Sequence, residues 1–276
     1  MTNPFLKARA TAESSTEDRQ ERNRQWWERL PMTYADWDAE DRLPKTPQDF
    51  LDIEKTLLSD SPFLGTKYDF SQVKGLRILE IGCGSGVLSC RLAREAAEVT
   101  AIDITETAVT LAKRNATGQN VTIDILNADA ERMPFADNSF DYVFSWGVLH
   151  HSSNMDNALK EVSRVLTPGG HGLVMVYHRR SIAYYIHGLY WLLIKGKIFK
   201  GDTLHTVQRH YTDGYHHRYV RKSEMAEILS NAGLSPTKFT ITQYRKKIIP
   251  GCPSRLDEKL KARFGMCLIT EFKKSA

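Results

Sequence analysis

Cysteine is scarce in this 276-residue chain, and Cys83, Cys90, Cys252 and Cys267 form no C-x-x-C pair. That spacing suggests neither a structural zinc site nor a disulfide framework, and no metal is expected. Long apolar runs are lacking too. Residues 182–199, the nearest approach to a membrane span, contain His187, Lys195 and Lys197 and are too short to cross a bilayer. Met1 to Ser15 has none of the apolar character of a secretory signal. There are no internal repeats and no low-complexity tracts. With 41% apolar and 26% charged residues, collagen-like, coiled-coil and wholly disordered chains are excluded. The expectation is a reduced, soluble, cytoplasmic protein, long for one ordinary domain and able to bury a sizeable core.

What is present is unevenly distributed. Residues 1–177 hold 19 Lys+Arg against 26 Asp+Glu, whereas residues 178–276 hold 19 against 7, so a net of −7 is followed by a net of +12. The C-terminal third either meets something anionic or presents a solvated basic face.

Residues 1–22 are polar and charge-mixed without an apolar period, which reads as a flexible tail. Residues 23–69 read as an N-terminal cap, with Trp26, Trp27, Tyr34 and Trp37 followed by an amphipathic helix over Gln48–Leu58. From Leu76 a regular alternation begins. Strands over Leu76–Ile81, Val99–Asp103, Val121–Asp129, Phe140–Trp146 and Gly172–Tyr177 interleave with helices over Val87–Ala96, Glu106–Ala116 and Asn154–Leu166. Pro168-Gly169-Gly170 reads as the stop and turn after the last of these helices. Such alternation predicts βαβ units in an α/β, doubly wound, mostly parallel sheet, with its core over residues 70–178. The rhythm lapses over 179–221, an aromatic-rich, largely helical insertion. Residues 222–276 return to order with a helix from Ser223 to Asn231, a stop at Gly233 and two strands over Thr237–Tyr244 and Met266–Phe272, seven strands in all.

The first strand breaks into Gly82-Cys83-Gly84-Ser85-Gly86, where a doubly wound sheet binds a nucleotide-like ligand. Val87 stands where a dinucleotide fingerprint needs its third glycine, and Glu80 would repel a pyrophosphate. A cationic or zwitterionic ligand is better served. Asp103 closes the second strand 21 residues after Gly82, where an acid accepts hydrogen bonds from ribose hydroxyls. Asp129, ending the third strand, either accepts from an adenine amino group or closes a turn. The three acids describe an adenosine with a free ribose and a positively charged tail, which is S-adenosyl-L-methionine.

At this point the sequence resembles the class I S-adenosylmethionine-dependent methyltransferases. Leu79-Glu-Ile-Gly-Cys-Gly-Ser-Gly86 looks like their first motif, Ala101-Ile-Asp-Ile104 the second, and Asn127-Ala-Asp-Ala130 with Met133-Pro-Phe135 the third. Phe140–His151 with Val165–Gly170 is similar to the branch that includes ubiquinone/menaquinone and natural-product methyltransferases. The resemblance implies a seven-stranded Rossmann-like methyltransferase fold and roles for matching positions. Gly82 and Gly84 would line the methionyl end, with Glu80 supporting the loop. Asp103 would hold the ribose, Ile104 pack on the adenine, and Asp129, with Ala130 beside it, meet the amino group. Ser145 and Trp146 would lie near the methionine carboxylate and methyl group. Tyr34 belongs to a segment that similar enzymes fold over the cofactor, and 179–221 would form the lid over the acceptor.

Methyl transfer needs alignment of acceptor and methyl and, for a protonated acceptor, a base. His150 and His151 follow the fourth strand on the sheet's carboxyl edge, and an imidazole there suits a phenol or hydroxyl. Each could instead pack the helix start; the reading leans slightly to His150. Tyr177 and His178 either line the acceptor pocket or cap a strand. His205, His210, His216 and His217 show no metal-ligand pattern. The acceptor expected is small and largely apolar (quinone, phenolic, lipid-like or natural product), methylated at oxygen or carbon. It could be anionic or lipid-linked, with peripheral membrane contact by the basic, aromatic third. The alternative is RNA or other nucleic-acid methylation through Arg179, Arg180, Arg245, Lys246 and Lys247. It is disfavoured, because Ser145-Trp146-Gly147-Val148 replaces the Asn/Asp-Pro-Pro-aromatic turn of enzymes that methylate adenine amino groups.

Overall fold

A computed structural model describes residues 16–29, 43–210, 216–243 and 251–275. Tyr34, Trp37 and the basic run Arg245-Lys246-Lys247 lie outside the described residues. Seven strands are described: β1 (Arg77–Ile81), β2 (Glu98–Asp103), β3 (Asp124–Asn127), β4 (Phe140–Trp146), β5 (Leu166–Tyr177), β6 (Leu234–Thr242) and β7 (Cys267–Lys274). The helices are α1 (Thr16–Arg29), α2 (Pro47–Asp60), α3 (Val87–Arg94), α4 (Glu106–Gly118), α5 (Met155–Val165), α6 (Ile182–Leu189), α7 (Leu204–His210), α8 (Lys222–Asn231) and α9 (Ser254–Phe264), with shorter π and 3₁₀ turns between some of them.

The strands form one sheet in the order β3-β2-β1-β4-β5-β7-β6, the expected doubly wound α/β fold with seven strands. Pairing is parallel from β3 through β5, and β7 runs antiparallel between β5 and β6. The central strands read as nearly continuous apolar runs because both faces are covered. Alternate residues serve opposite layers. Leu79, Ile81, Val143, Val174 and Val176 pack with Leu159 and Val162 of α5 and Met225 and Leu229 of α8. Ile78, Tyr142, Phe144, Leu173 and Met175 pack on the other side with Leu57 of α2 and Leu88 and Leu92 of α3. A bidentate Arg94–Glu54 ion pair ties α3 to α2 across the second layer.

Three expectations need correction. The polar N-terminal stretch is not wholly a tail, because α1 begins at Thr16 and packs on α4. Pro168-Gly169-Gly170 is not a turn between helix and strand. The chain passes from Val165 straight into β5, and the register against β4 shifts there, so the triplet forms an irregularity within the strand. The last two strands are not consecutive elements either, since α9 intervenes. It buries an Asp257–Lys261 ion pair, while the helically spaced Leu256, Leu260 and Phe264 stay at least partly exposed, so its apolar period does not mark its buried face.

Gly86, at the N-cap of α3, has φ +74°, and a Cβ there would lie 2.8 Å from the Ala112 Cα of α4. Both the left-handed backbone and the close helix approach require glycine. Gly86→Ala should therefore destabilise the fold by about 2–4 kcal/mol. Urea unfolding checks this; a loss below about 0.5 kcal/mol would mean that the two helices part without cost.

Candidate active site

The carboxyl ends of β1, β2 and β3, neighbours in the sheet, bring Glu80, Asp103 and Asp129 to one cavity, which Gly82, Gly84, Ile104, Ala130, Trp146 and His151 also line. Tyr177, at the end of β5, is a further wall residue. No lysine or arginine is among the described residues that line the cavity.

Asp103 organises the floor. Its Oδ2 accepts from the Gly84 N–H at 3.0 Å, and its Oδ1 accepts from the Thr105 N–H and hydroxyl at 3.0 and 2.8 Å. A carboxylate offers about four acceptor sites, so Oδ2 retains room for a ribose hydroxyl. Burial raises its pKa, against the pull of these donors. Thr105 in turn caps α4, accepting from the Ala108 N–H. Glu80 is 2% exposed, accepts from the Ser89 hydroxyl of α3, and is pushed up to about 8, chiefly by burial and further by Asp103. At neutral pH this carboxyl is largely protonated, and a cation beside it would favour its ionised form. Asp129 accepts from the Gln20 side-chain amide and the Glu131 N–H, both on Oδ1 and both at 2.9 Å.

These features suit S-adenosylmethionine. Three acids and no lining lysine or arginine match a cationic ligand. Gly84 has φ +52° and nothing within 4 Å of where a Cβ would stand, which leaves a cradle for a ligand chain.

The adjacent histidines part company. They lie in a 3₁₀ turn, Leu149–His151, where successive side chains diverge by about 120°, so only one of them can face the cavity. His151 does. Its Nδ1 is 3.0 Å from the His216 carbonyl, and since a carbonyl only accepts, Nδ1 carries the proton and Nε2 the lone pair. The Trp27 ring meets His151 edge-on at 4.9 Å. His150 is fully buried against Tyr177, with its ring centroid at 4.0 Å, and neither ring nitrogen has a partner. Burial first, then His151 and His217, hold its pKa well below the ordinary imidazole range. It is a neutral packing residue, contrary to the lean toward it. Ser145 is also off the cavity wall. Its neighbour Trp146 lines the cavity, so Ser145 points to the other face of β4, where its hydroxyl donates to the Ile81 carbonyl. Of the pair after β5, Tyr177 lines the cavity, while the His178 ring bonds the Gly265 carbonyl.

Sequence reasoning missed α1. Gln20, Asn23 and Trp27 share one helical face and line the cavity. Gln20 bridges Asp129 and the Ser153 N–H. Asn23 donates to the His151 carbonyl at 2.9 Å. Glu28 accepts from the Glu106 and Thr107 N–H groups at the start of α4. The signal available was Ser14-x-x-Glu17, the pattern of a capping box before a helix. The inward face carries amides rather than aliphatics, so an apolar period was absent.

Residues 79–174 match the "Methyltransferase domain" family. A ubiquinone biosynthesis O-methyltransferase from Cereibacter sphaeroides is 31% identical over 167 residues, which cover 59% of this chain and 62% of that protein. The chain thus spans less than two thirds of that relative's length. Among solved structures, an S-adenosylmethionine-dependent methyltransferase from Mesorhizobium loti aligns with a TM-score of 0.54 at 20% identity, covering 79% of this chain and 100% of its own. The [4+2]-cyclase SpnF aligns over 96% of this chain and 98% of its own, with a TM-score of 0.55 at 18% identity. Both structures share the fold.

The buried acid has a consequence for stability. The unfolded carboxyl of Glu80 ionises near 4.5 and the folded one near 8, so the folded chain holds an extra proton between those values. Stability from this group is therefore lost as pH rises from about 4.5 to about 8. Glu80→Gln, neutral throughout, should melt close to wild type near pH ~5 and several degrees above it near pH ~9. Parallel melting curves with pH would sink the assignment of a buried, protonated Glu80.

Proposed function

We propose that this chain, whose residues 79–174 match the methyltransferase domain family, is a class I S-adenosylmethionine-dependent methyltransferase that methylates oxygen or carbon of a small, largely apolar acceptor. The observation that carries this reading is the meeting of Glu80, Asp103 and Asp129 at one cavity with Trp27, His151 and Tyr177. Bound S-adenosylmethionine supplies a methyl group already activated on a sulfonium. The protein's part is to bind, align and deprotonate.

Asp103 offers Oδ2 to a ribose hydroxyl while its other contacts keep the glycine loop in place. Gly84 lets the backbone approach the ligand, and Glu80 stands ready as the counter-charge to a cation. His151 accepts the acceptor's hydroxyl proton at Nε2, in the tautomer that the His216 carbonyl maintains. Asn23 anchors the backbone of that histidine from above. Trp27, Trp146, Met175 and Leu57 keep the reacting region dry and favour an apolar body on the acceptor.

The description of the Cereibacter relative as an O-methyltransferase of ubiquinone biosynthesis supports oxygen, and with it a phenolic or quinol hydroxyl, as the methylated position. Nucleic-acid methylation has less support, because the acidic cavity would repel a phosphate backbone. A neighbour of the same fold is described as a cyclase, so transfer itself is the quantity to measure.

Calorimetric titration should find S-adenosylhomocysteine binding with a Kd on the order of micromolar, about −8 kcal/mol, and no binding of NAD. Asp103→Ala should weaken that binding by about 2 kcal/mol, since hydrogen bonds to a charged group are lost. An unchanged affinity would remove Asp103 from the ribose. With labelled methyl donor and a panel of phenolic and quinol acceptors, His151→Ala should lower turnover by about 100-fold and leave S-adenosylhomocysteine affinity intact. Turnover within a few-fold of wild type would return His151 to a packing role.

A further inference from the structure

The segment after β5 carries apolar residues on two faces, and only one face is covered. Tyr184, Trp191 and Leu192 point inward, where Trp191 and Leu192 pack with Val207 of α7 and the Gln208 amide donates to the Tyr184 carbonyl. Tyr184 also meets Tyr219 at 4.8 Å, and Tyr219 meets the cavity residue Tyr177 at 5.6 Å. The segment is thus fixed to the core by its inner face, one aromatic ring removed from the cavity wall.

Its outer face is apolar and bare. Of 12 large hydrophobic residues exposed among the described residues, eight lie between Tyr185 and Phe199. Ile186, Leu193, Ile194 and Phe199 are 61%, 58%, 74% and 90% exposed. The exposed positions 185, 186, 189, 190, 193 and 194 recur at helical spacing, so they form a continuous stripe along α6 and the π-turn Tyr190–Ile194. Gly196 and Gly201, both left-handed, bracket a 3₁₀ turn that presents Ile198 and Phe199 between Lys197 and Lys200. A bare apolar stripe of this length marks an interaction site.

The charge pattern says of what kind. Between Arg179 and Gly201 the sequence has Arg179, Arg180, Lys195, Lys197 and Lys200 and no acidic residue, in a protein whose first 177 residues carry a net charge of −7. Among the described residues no helix is long and apolar enough to span a membrane, so the stripe would lie on a surface rather than cross one.

We propose that the face formed by α6, Tyr190–Ile194 and Lys197–Lys200 docks on an anionic lipid bilayer. Ile194, Ile198 and Phe199 enter the interface, and the lysines meet lipid headgroups. Docking brings the segment that flanks the cavity to the lipid surface, where an apolar acceptor is concentrated. The docking itself does not depend on what the cavity catalyses.

The test is co-sedimentation of the full chain with vesicles of phosphatidylcholine containing roughly a third phosphatidylglycerol, and with phosphatidylcholine alone. Wild type should pellet with the anionic vesicles, weaken on added salt and bind the neutral ones poorly. Lys195→Gln/Lys197→Gln/Lys200→Gln should lower the partition coefficient by roughly 100-fold. Ile194→Glu/Phe199→Glu should abolish binding. Both variants must keep the wild-type circular dichroism and S-adenosylhomocysteine affinity, which separates loss of docking from misfolding or from failure of the methyltransferase reading. Absence of wild-type binding, or binding that neither variant disturbs, overturns the proposal. So does a wild-type dimer, seen by sedimentation velocity and dissolved by the apolar variant, that ignores vesicles: the occupant would then be a second copy of the chain.

Discussion

The carboxylate of Asp103 is the constraint on which the site depends. One of its oxygens holds the Gly84 N–H and the other holds Thr105, so a single side chain at the end of β2 fixes the glycine loop above β1 and begins α4. Through α4 the constraint reaches further. The N-terminal amides of that helix receive Glu28, which seats α1, and α1 brings Asn23 to the backbone of His151. Cofactor floor, helical cover and candidate base are thus connected through one series of hydrogen bonds that starts at a half-buried acid.

Electrostatics distinguish the two sides of the cavity. On the cofactor side, acids are concentrated and partly desolvated, and the buried Glu80 is raised to about 8 until a positive charge arrives. On the other side, the His216 carbonyl selects the neutral tautomer of His151 that carries its lone pair on Nε2. His150, one residue away, has no such partner and is kept neutral by burial. Two identical residue types therefore differ in chemistry through the direction of a 3₁₀ turn.

That contrast also shows where the sequence is legible and where it is not. The apolar runs of β1 and β4, the glycine loop and the acids at the strand ends reflect short-range requirements, and the local order of residues reveals them. Facing is different: whether His150 or His151 meets the cavity, or whether Ser145 or Trp146 does, depends on a local rotation that residue type does not encode. Helices α1 and α9 escaped notice for a shared reason. Each turns polar groups inward (Gln20 and Asn23 in one, Asp257 and Lys261 in the other), so an apolar period such as that of Leu256, Leu260 and Phe264 does not mark the buried face. Pro168-Gly169-Gly170 carries the residues of a turn, yet the pairing of Leu166 and His171 with β4 before and after it absorbs it as an irregularity.

The polar character of α1 has a kinetic consequence. Across the cavity its side-chain hydrogen bonds run to Asp129, the Ser153 N–H and the His151 carbonyl, with the Trp27 edge against the His151 ring. Each of these buried or part-buried bonds contributes about 1 kcal/mol, and the Glu28 bonds to α4 add to them, so lifting this cover costs several kcal/mol and leaves the sheet intact. Opening on that scale is fast compared with global unfolding. A cover held in this way can open while the sheet stays folded, and amide exchange in α1 would report such openings directly.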